Sequence, residues 1–362
     1  SAADRLLEAE AVVLAREDPQ NPSSLRSLEV LKGDPGKITT DLFLASSSRR
    51  SLTLNPRRRI ICAYRSGGPE PGWQRIGTAD GEFGPLVGEI LECAPEWREA
   101  PGKRVDFFAP YLGHKDPQIN ALAHLEVARA PYDQIKRYAG VIPVKDLRDF
   151  LKNFRLFEWH ALYILLLAQS GEQQDHELIE GKIRSAEGSG TTLQLAAWTT
   201  AWIEIAEGKA LDFVVGRYLE NPGRRPEEIK AVLAALSVQG TRGHTHLRDR
   251  IVDAYRATLE NHPVMAPQIV TDLVAWDRRD LGGTVAAVVD APPASLDRTA
   301  LLQLRAYLRR VGAGEAEATG PAVEGKGSGP GILPLGLALL VLIPVGLGFA
   351  NRLQRRRGDS LE

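Results

Sequence analysis

Residues 147–168 read LRDFLKNFRLFEWHALYILLLA. Leu147, Phe150, Leu151 and Phe154 recur at i, i+3, i+4 and i+7, the spacing of one helical stripe. The following ALYILLLA, residues 161–168, is apolar on every side, as a central buried helix must be. The same stripe continues downstream. Ile229, Val232, Leu233 and Leu236 follow Pro226, a good first-turn residue, and the pattern predicts a stop before Gly240. Leu247, Ile251, Tyr255 and Leu259 run up to Pro263; Ile269, Val270, Leu273 and Trp276 form the next stripe, and Leu301, Leu304 and Leu308 the last. Short helices separated by a few turn residues predict an all-α stack of hairpins over residues 106–311, of the HEAT or armadillo kind by element size.

Upstream, over residues 1–105, the period changes. Ala11–Leu14, Leu25–Leu31, Ile38–Leu44, Arg59–Tyr64 (RIICAY) and Gly72–Gly77 read as five short strands. Leu6–Glu10 and Leu86–Cys93 read as short helices. Five strands with one or two helices suit a small barrel. The fold class is therefore α+β and multidomain, with an N-terminal OB-like β-barrel and a C-terminal helical stack.

The phrase Leu28-Glu29-Val30-Leu31-Lys32-Gly33-Asp34, after a strand of the form A-x-A-V-V, resembles the netrin/TIMP-like (NTR-like) domain, an OB-type barrel. The resemblance covers under a third of the chain. Metalloprotease-inhibiting members use an N-terminal cysteine, which has no counterpart in the Ser1-Ala2-Ala3 opening, so that role is not carried over. The segment from Ala109-Pro110-Tyr111-Leu112 through Asp116 and Ala121–Ala128 to Ala130-Pro131-Tyr132 resembles the opening of a bacterial exported family with a HEAT-like helical domain, for which no activity transfers.

Residues 331–350 read GILPLGLALLVLIPVGLGFA and carry no charge. A helix needs about 20 such residues to cross a bilayer. Pro334 falls in the first turn, and Pro344 predicts a kink, which membrane helices tolerate. Arg352, Arg355, Arg356 and Arg357 follow in the tail, residues 351–362, whereas the upstream flank is acidic, so the positive-inside bias places the C-terminus in the cytoplasm. Residues 312–330, GAGEAEATGPAVEGKGSGP, are too poor in apolar groups to fold and read as a tether spanning roughly 24 Å root-mean-square. Together with an opening at Ser1 that looks like signal-peptide cleavage, this predicts a bacterial inner-membrane protein with one span and its bulk in the periplasm.

The formal net charge of −1 excludes a general nucleic-acid binder, which needs a basic surplus. Cys62 and Cys93 are the two cysteines. In an exported chain they predict one disulfide, closing a loop of about 30 residues and stabilising by roughly 3–4 kcal/mol; two buried thiols are the alternative. C-x-x-C spacing, a G-x-S-x-G elbow and the dinucleotide fingerprint are not found in the sequence, and residues 187–192 (EGSGTT) lack the lysine of a P-loop and read as a helix–helix turn. His244 and His246 form an H-x-H, and His114, Asp116, His124 and Glu126 a looser set. No cysteine or carboxylate follows the H-x-H at zinc spacing, so solvated loop and helix-surface histidines are the plainer reading of both sets and a metal site or metal-dependent enzyme the alternative. Arg57, Arg58 and Arg59, with Arg49 and Arg50, read as a solvated barrel turn, with contact to an acidic partner or lipid headgroups as the alternative. Trp159, Tyr163, Trp198, Trp202 and Trp276 are candidates to line a protein-binding groove, with core packing as the competing reading. With no convergent catalytic set and no cofactor implied, the sequence reads as a non-enzymatic scaffold, an accessory or assembly subunit tethered beside a protein partner in the cell envelope.

Overall fold

The computed structural model describes residues 1–18, 20–38, 42, 52, 55 and 57–312. It is α+β: a four-stranded antiparallel sheet near the N-terminus, followed by helices. The described residues divide between Ala130 and Pro131 into two units.

In the first unit, α1 (Ala2–Glu8) precedes β1 (Ala11–Asp18) and β2 (Asn21–Lys32); β3 (Ile60–Arg65) and β4 (Gly72–Thr78) complete the sheet in the order β2-β1-β3-β4. These are four of the five strands read from the sequence. The fifth, at 38–44, lies almost wholly outside the described residues. In the sheet, Val13 faces Cys62 and Ala15 faces Ile60. Alternation puts all four on one face, where they pack with Leu52. Ala11 and Val12 are also buried, so β1 is covered on both sides. Three helices follow: α2 (Phe83–Glu99), α3 (Pro101–Phe108) and α4 (Pro117–Ala128). α1 and α2 contact β4. Gly77 of β4 is required there, because a Cβ would stand 2.6 Å from Phe83 Cε1 and 2.7 Å from Gln118 Oε1. Gln118 ties α4 to the sheet by accepting from the Thr78 amide at 2.8 Å and bonding the Thr78 hydroxyl at 2.7 Å. Arg104 of α3 joins Asp4 of α1 (2.6 Å) to Glu126 of α4 (2.8 Å). These ties hold α3 and α4 in the sheet-bearing unit, so the division comes later than the change of sequence period at 105/106 suggests.

The second unit is all-α. It begins with α5 (Tyr132–Ile135), α6 (Val144–Lys152) and α7 (His160–Leu167). Then come α8 (Gln173–Ser189), α9 (Leu195–Val214), α10 (Pro226–Arg242), α11 (Arg248–Asn261), α12 (Ala266–Ala275), α13 (Gly282–Asp290) and α14 (Arg298–Val311). α9 packs on α7, α8 and α10; further along, α10 packs on α11 and α12, and α14 on α12 and α13. One continuous apolar core runs from Ile164 to Leu308 through all of these. α7 is buried along its length, as its uniformly apolar sequence demands. Caps sit where the chain chemistry puts them. Asp297 accepts from the Ala300 amide (2.7 Å) at the start of α14, and Gly190, at φ 68°, ends α8 in the turn that the EGSGTT segment predicts.

Two sequence-derived boundaries shift. Phe154 does not join the stripe of α6. The helix ends at Lys152, and Phe154 stands 77% exposed in the next 3-10 turn, held by Asn153 capping the Arg155 amide at 3.0 Å. α10 does not stop before Gly240 but runs through it. That glycine is present because Trp276 lies against it, 2.5 Å from where a Cβ would be.

The expected span at 331–350, its flanking Arg352, Arg355, Arg356 and Arg357, and the tether beyond Gly312 lie outside the described residues. Among the described residues no helix is long and apolar enough to cross a membrane.

Candidate metal centre at the break in α9

α9 is interrupted. At Glu207 the backbone takes φ 43° and ψ −117°, a conformation that an L side chain rarely adopts, and the helix resumes at once on the other side. Opposite the break, α10 ends at Arg242 and the chain turns through Gly243 and His244 into a 3-10 turn, Thr245–Leu247, before α11. Gln239, fully buried on α10, sets this turn. Its Nε2 donates to the Thr200 carbonyl of α9 at 2.8 Å, and its Oε1 accepts from the His244 amide at 2.9 Å. A Cβ on Gly243 would fall 1.9 Å from that same oxygen, so glycine is required where the turn closes.

The turn delivers both histidines of the H-x-H to the break. His244 Nε2 lies 3.0 Å from the Glu204 carbonyl oxygen. A carbonyl can only accept, so Nε2 carries the proton and the lone pair of the ring resides on Nδ1. His246 Nε2 lies 2.9 Å from Glu207 Oε2. The two imidazoles meet edge to face with centroids 5.3 Å apart. One ligand atom from each of Glu207, His244 and His246 falls within 4.8 Å of the others, the one such convergence of three His, Cys, Asp or Glu side chains among the described residues. Glu207 and His246 face solvent, with side chains 51% and 59% exposed; His244 is more enclosed. Below them, Glu204 places Oε2 3.7 Å from His244 Nε2 and pairs through Oε1 with Lys136 at 2.9 Å.

The carboxylate comes from α9, upstream of the H-x-H, whereas spacing rules look for it nearby or downstream. The one signal was Glu207-Gly208 in the middle of an otherwise strongly helical, apolar run.

The second histidine set does not assemble. His114 Nε2 bonds Glu82 Oε2 at 3.0 Å, and Asp116 caps α4 through the Gln118 amide. His124 is buried with Nδ1 2.8 Å from the Asn120 carbonyl, and burial depresses its pKa despite that contact.

The aromatic candidates do not form an open groove. Tyr163, Trp198 and Trp202 are buried in the helical core, and Trp202 packs edge-on against Phe213. Trp276 is half-buried, stacked on Tyr255 and donating from Nε1 to Thr241 at 3.0 Å; Trp159 is also half-buried. Aromatics at helical spacing met apolar neighbours because their stripe is the stripe that the core needs.

Cys62 and Cys93 are separate thiols. Cys62 points into the cluster of Val13, Ala15, Leu52 and Ile60, which contains no residue of α2, the helix that carries Cys93. Burial pushes the Cys62 thiol up to about 12. Cys93 is raised by partial desolvation and by Glu96, Glu92 and Glu89 on its own helix. Neither is poised as a thiolate nucleophile. Of the arginine run, Arg58 reaches Asp80 at 3.5 Å and Arg57 and Arg59 are exposed; Arg49 and Arg50 lie outside the described residues.

No known protein family, characterised protein or solved structure matches this chain.

Proposed function

We propose that this chain is a non-enzymatic, membrane-tethered extracytoplasmic scaffold, acting as an accessory or assembly subunit of a complex in the bacterial envelope. The observation that carries the reading is the uncharged run 331–350 with Arg352, Arg355, Arg356 and Arg357 behind it and a glycine-rich, acidic segment ahead of it. In this arrangement the bilayer holds residues 331–350, the C-terminal tail stays cytoplasmic, and the tether lets both folded units search for a protein partner at raised local concentration. The chain of helices sharing one core supports a HEAT-like stack, an architecture whose long faces bind other proteins. In the N-terminal unit, the strand order β2-β1-β3-β4 leaves β2 and β4 at the two ends of the sheet. The OB-type barrel of the NTR-like reading needs, beyond these four strands, the expected strand at 38–44, which lies almost wholly outside the described residues.

Crosslinking in native membranes, followed by identification of the captured proteins, tests the role. The expected result is a reproducible envelope partner recovered with the full chain and lost when residues 331–350 are deleted. Recovery of no specific partner overturns the scaffold reading.

A further inference from the structure

We infer that Glu207, His244 and His246 form a site for a divalent transition metal of borderline softness, zinc being the first fit. Two imidazoles and one carboxylate are the donor set that such ions take. Three protein ligands leave a fourth position for water or a partner's side chain.

Several independent features converge on the site. His244 donates from Nε2 to the Glu204 carbonyl at 3.0 Å, the outer hydrogen bond that metal-bound imidazoles use to fix ring orientation and tautomer. Gln239 anchors the turn from beneath, so His244 is held before any ion arrives. The Glu207 backbone sits at φ 43° inside a helix that would otherwise continue, a strained conformation that points the carboxylate at the histidines. Glu204 also places a carboxylate 3.7 Å from that same Nε2, on the outer side of the His244 ring, although Lys136 balances part of its charge.

The fit requires only side-chain motion. Tetrahedral zinc holds N and O ligands at about 2.0–2.2 Å, which sets them roughly 3.3 Å from one another. The three donors now span up to 4.8 Å. Glu207 and His246, being half-exposed, can swing inward without disturbing the core, exchanging their mutual hydrogen bond for a shared cation. The plain alternative is a surface His–Glu pair, which needs neither the anchored His244 nor the helix break.

The test uses the full tag-free chain, stripped with chelator and titrated with Zn²⁺ calorimetrically and with Co²⁺ by absorption. The expected result is one Zn²⁺ per chain and a Co²⁺ visible band of low-symmetry, four-coordinate character. His246→Ala, at an exposed position that folding does not depend on, weakens binding at least tenfold. Glu207→Gly does the same while leaving the metal-free protein at least as stable, because glycine accepts the positive φ. No stoichiometric uptake of either metal, or uptake that survives both substitutions unchanged, overturns the proposal.

Discussion

Asp272 is 5% exposed, with two hydroxyls donating to it: Ser237 at 2.7 Å and Tyr255 at 2.5 Å. Burial raises its pKa above the ordinary 3.8, and the two hydroxyls recover only part of that. The folded state therefore holds this proton where the unfolded chain has released it. Stability falls as pH rises from about 4 up through the folded pKa, the reverse of the usual carboxylate dependence. Asp175 shows the usual sign. Burial pushes it up, but Arg148, bonding through Nε (2.7 Å) and Nη2 (2.8 Å), and the Ser170 hydroxyl more than reverse this. Its stabilisation is present above the ordinary carboxylate range and is lost as pH falls below it. Asp272→Asn, which keeps a polar partner for both hydroxyls and removes the charge, is expected to raise stability at neutral pH and flatten the high-pH side of the profile. Asp272→Ala, which strands the fully buried Tyr255 hydroxyl, should cost about 1–3 kcal/mol. Urea unfolding of both variants at about pH 5 and about pH 8 separates these outcomes, and an unchanged pH slope in Asp272→Asn would remove Asp272 from the account.

Elements in this chain are set by local chemistry and then corrected by neighbours. The stripes at 229–236 and 247–259 became helices with those residues buried, because an apolar face every 3.6 residues has no better place than a core. Gly240 shows the limit of local reading. As a helix breaker it marks an end; in the structure it is mid-helix, giving Trp276 room to lie across α10. Gly240→Ala tests which effect wins. Alanine favours a helix interior by about 1 kcal/mol over glycine. The new methyl would meet Trp276 Cζ2 at 2.5 Å, and that ring is stacked on Tyr255 and held by Thr241, so it has little freedom to retreat. Overpacking of this kind costs about 1–3 kcal/mol, so net destabilisation is expected, and a gain in thermal stability would show that Trp276 is free to move. Glu207 was hard to read for a related reason, Gly208 beside it being the one signal. The sequence around it is good helix, and only the packing of the Gly243–Leu247 turn, anchored by Gln239 of α10 to the Thr200 carbonyl of α9, makes a break there useful.

For the whole molecule, the topology reading predicts that protease added to intact spheroplasts digests both folded units and spares the residues after 350. Digestion confined to the extreme C-terminus would invert the orientation, and with it the extracytoplasmic role. The α+β class, the strand-then-helix order, four strands and most of the helical stripes were readable from residue order alone, because periodicity of 2 or 3.6 is a local consequence of backbone geometry and of which face must leave water. The grouping of α3 and α4 with the sheet, the separation of Cys62 from Cys93, the burial of Tyr163, Trp198 and Trp202, and the meeting of Glu207 with His244 and His246 were decided only by tertiary structure. Each depends on which surfaces come together across tens of residues, and that outcome is set by the packing of the whole core, which no local pattern along the chain encodes.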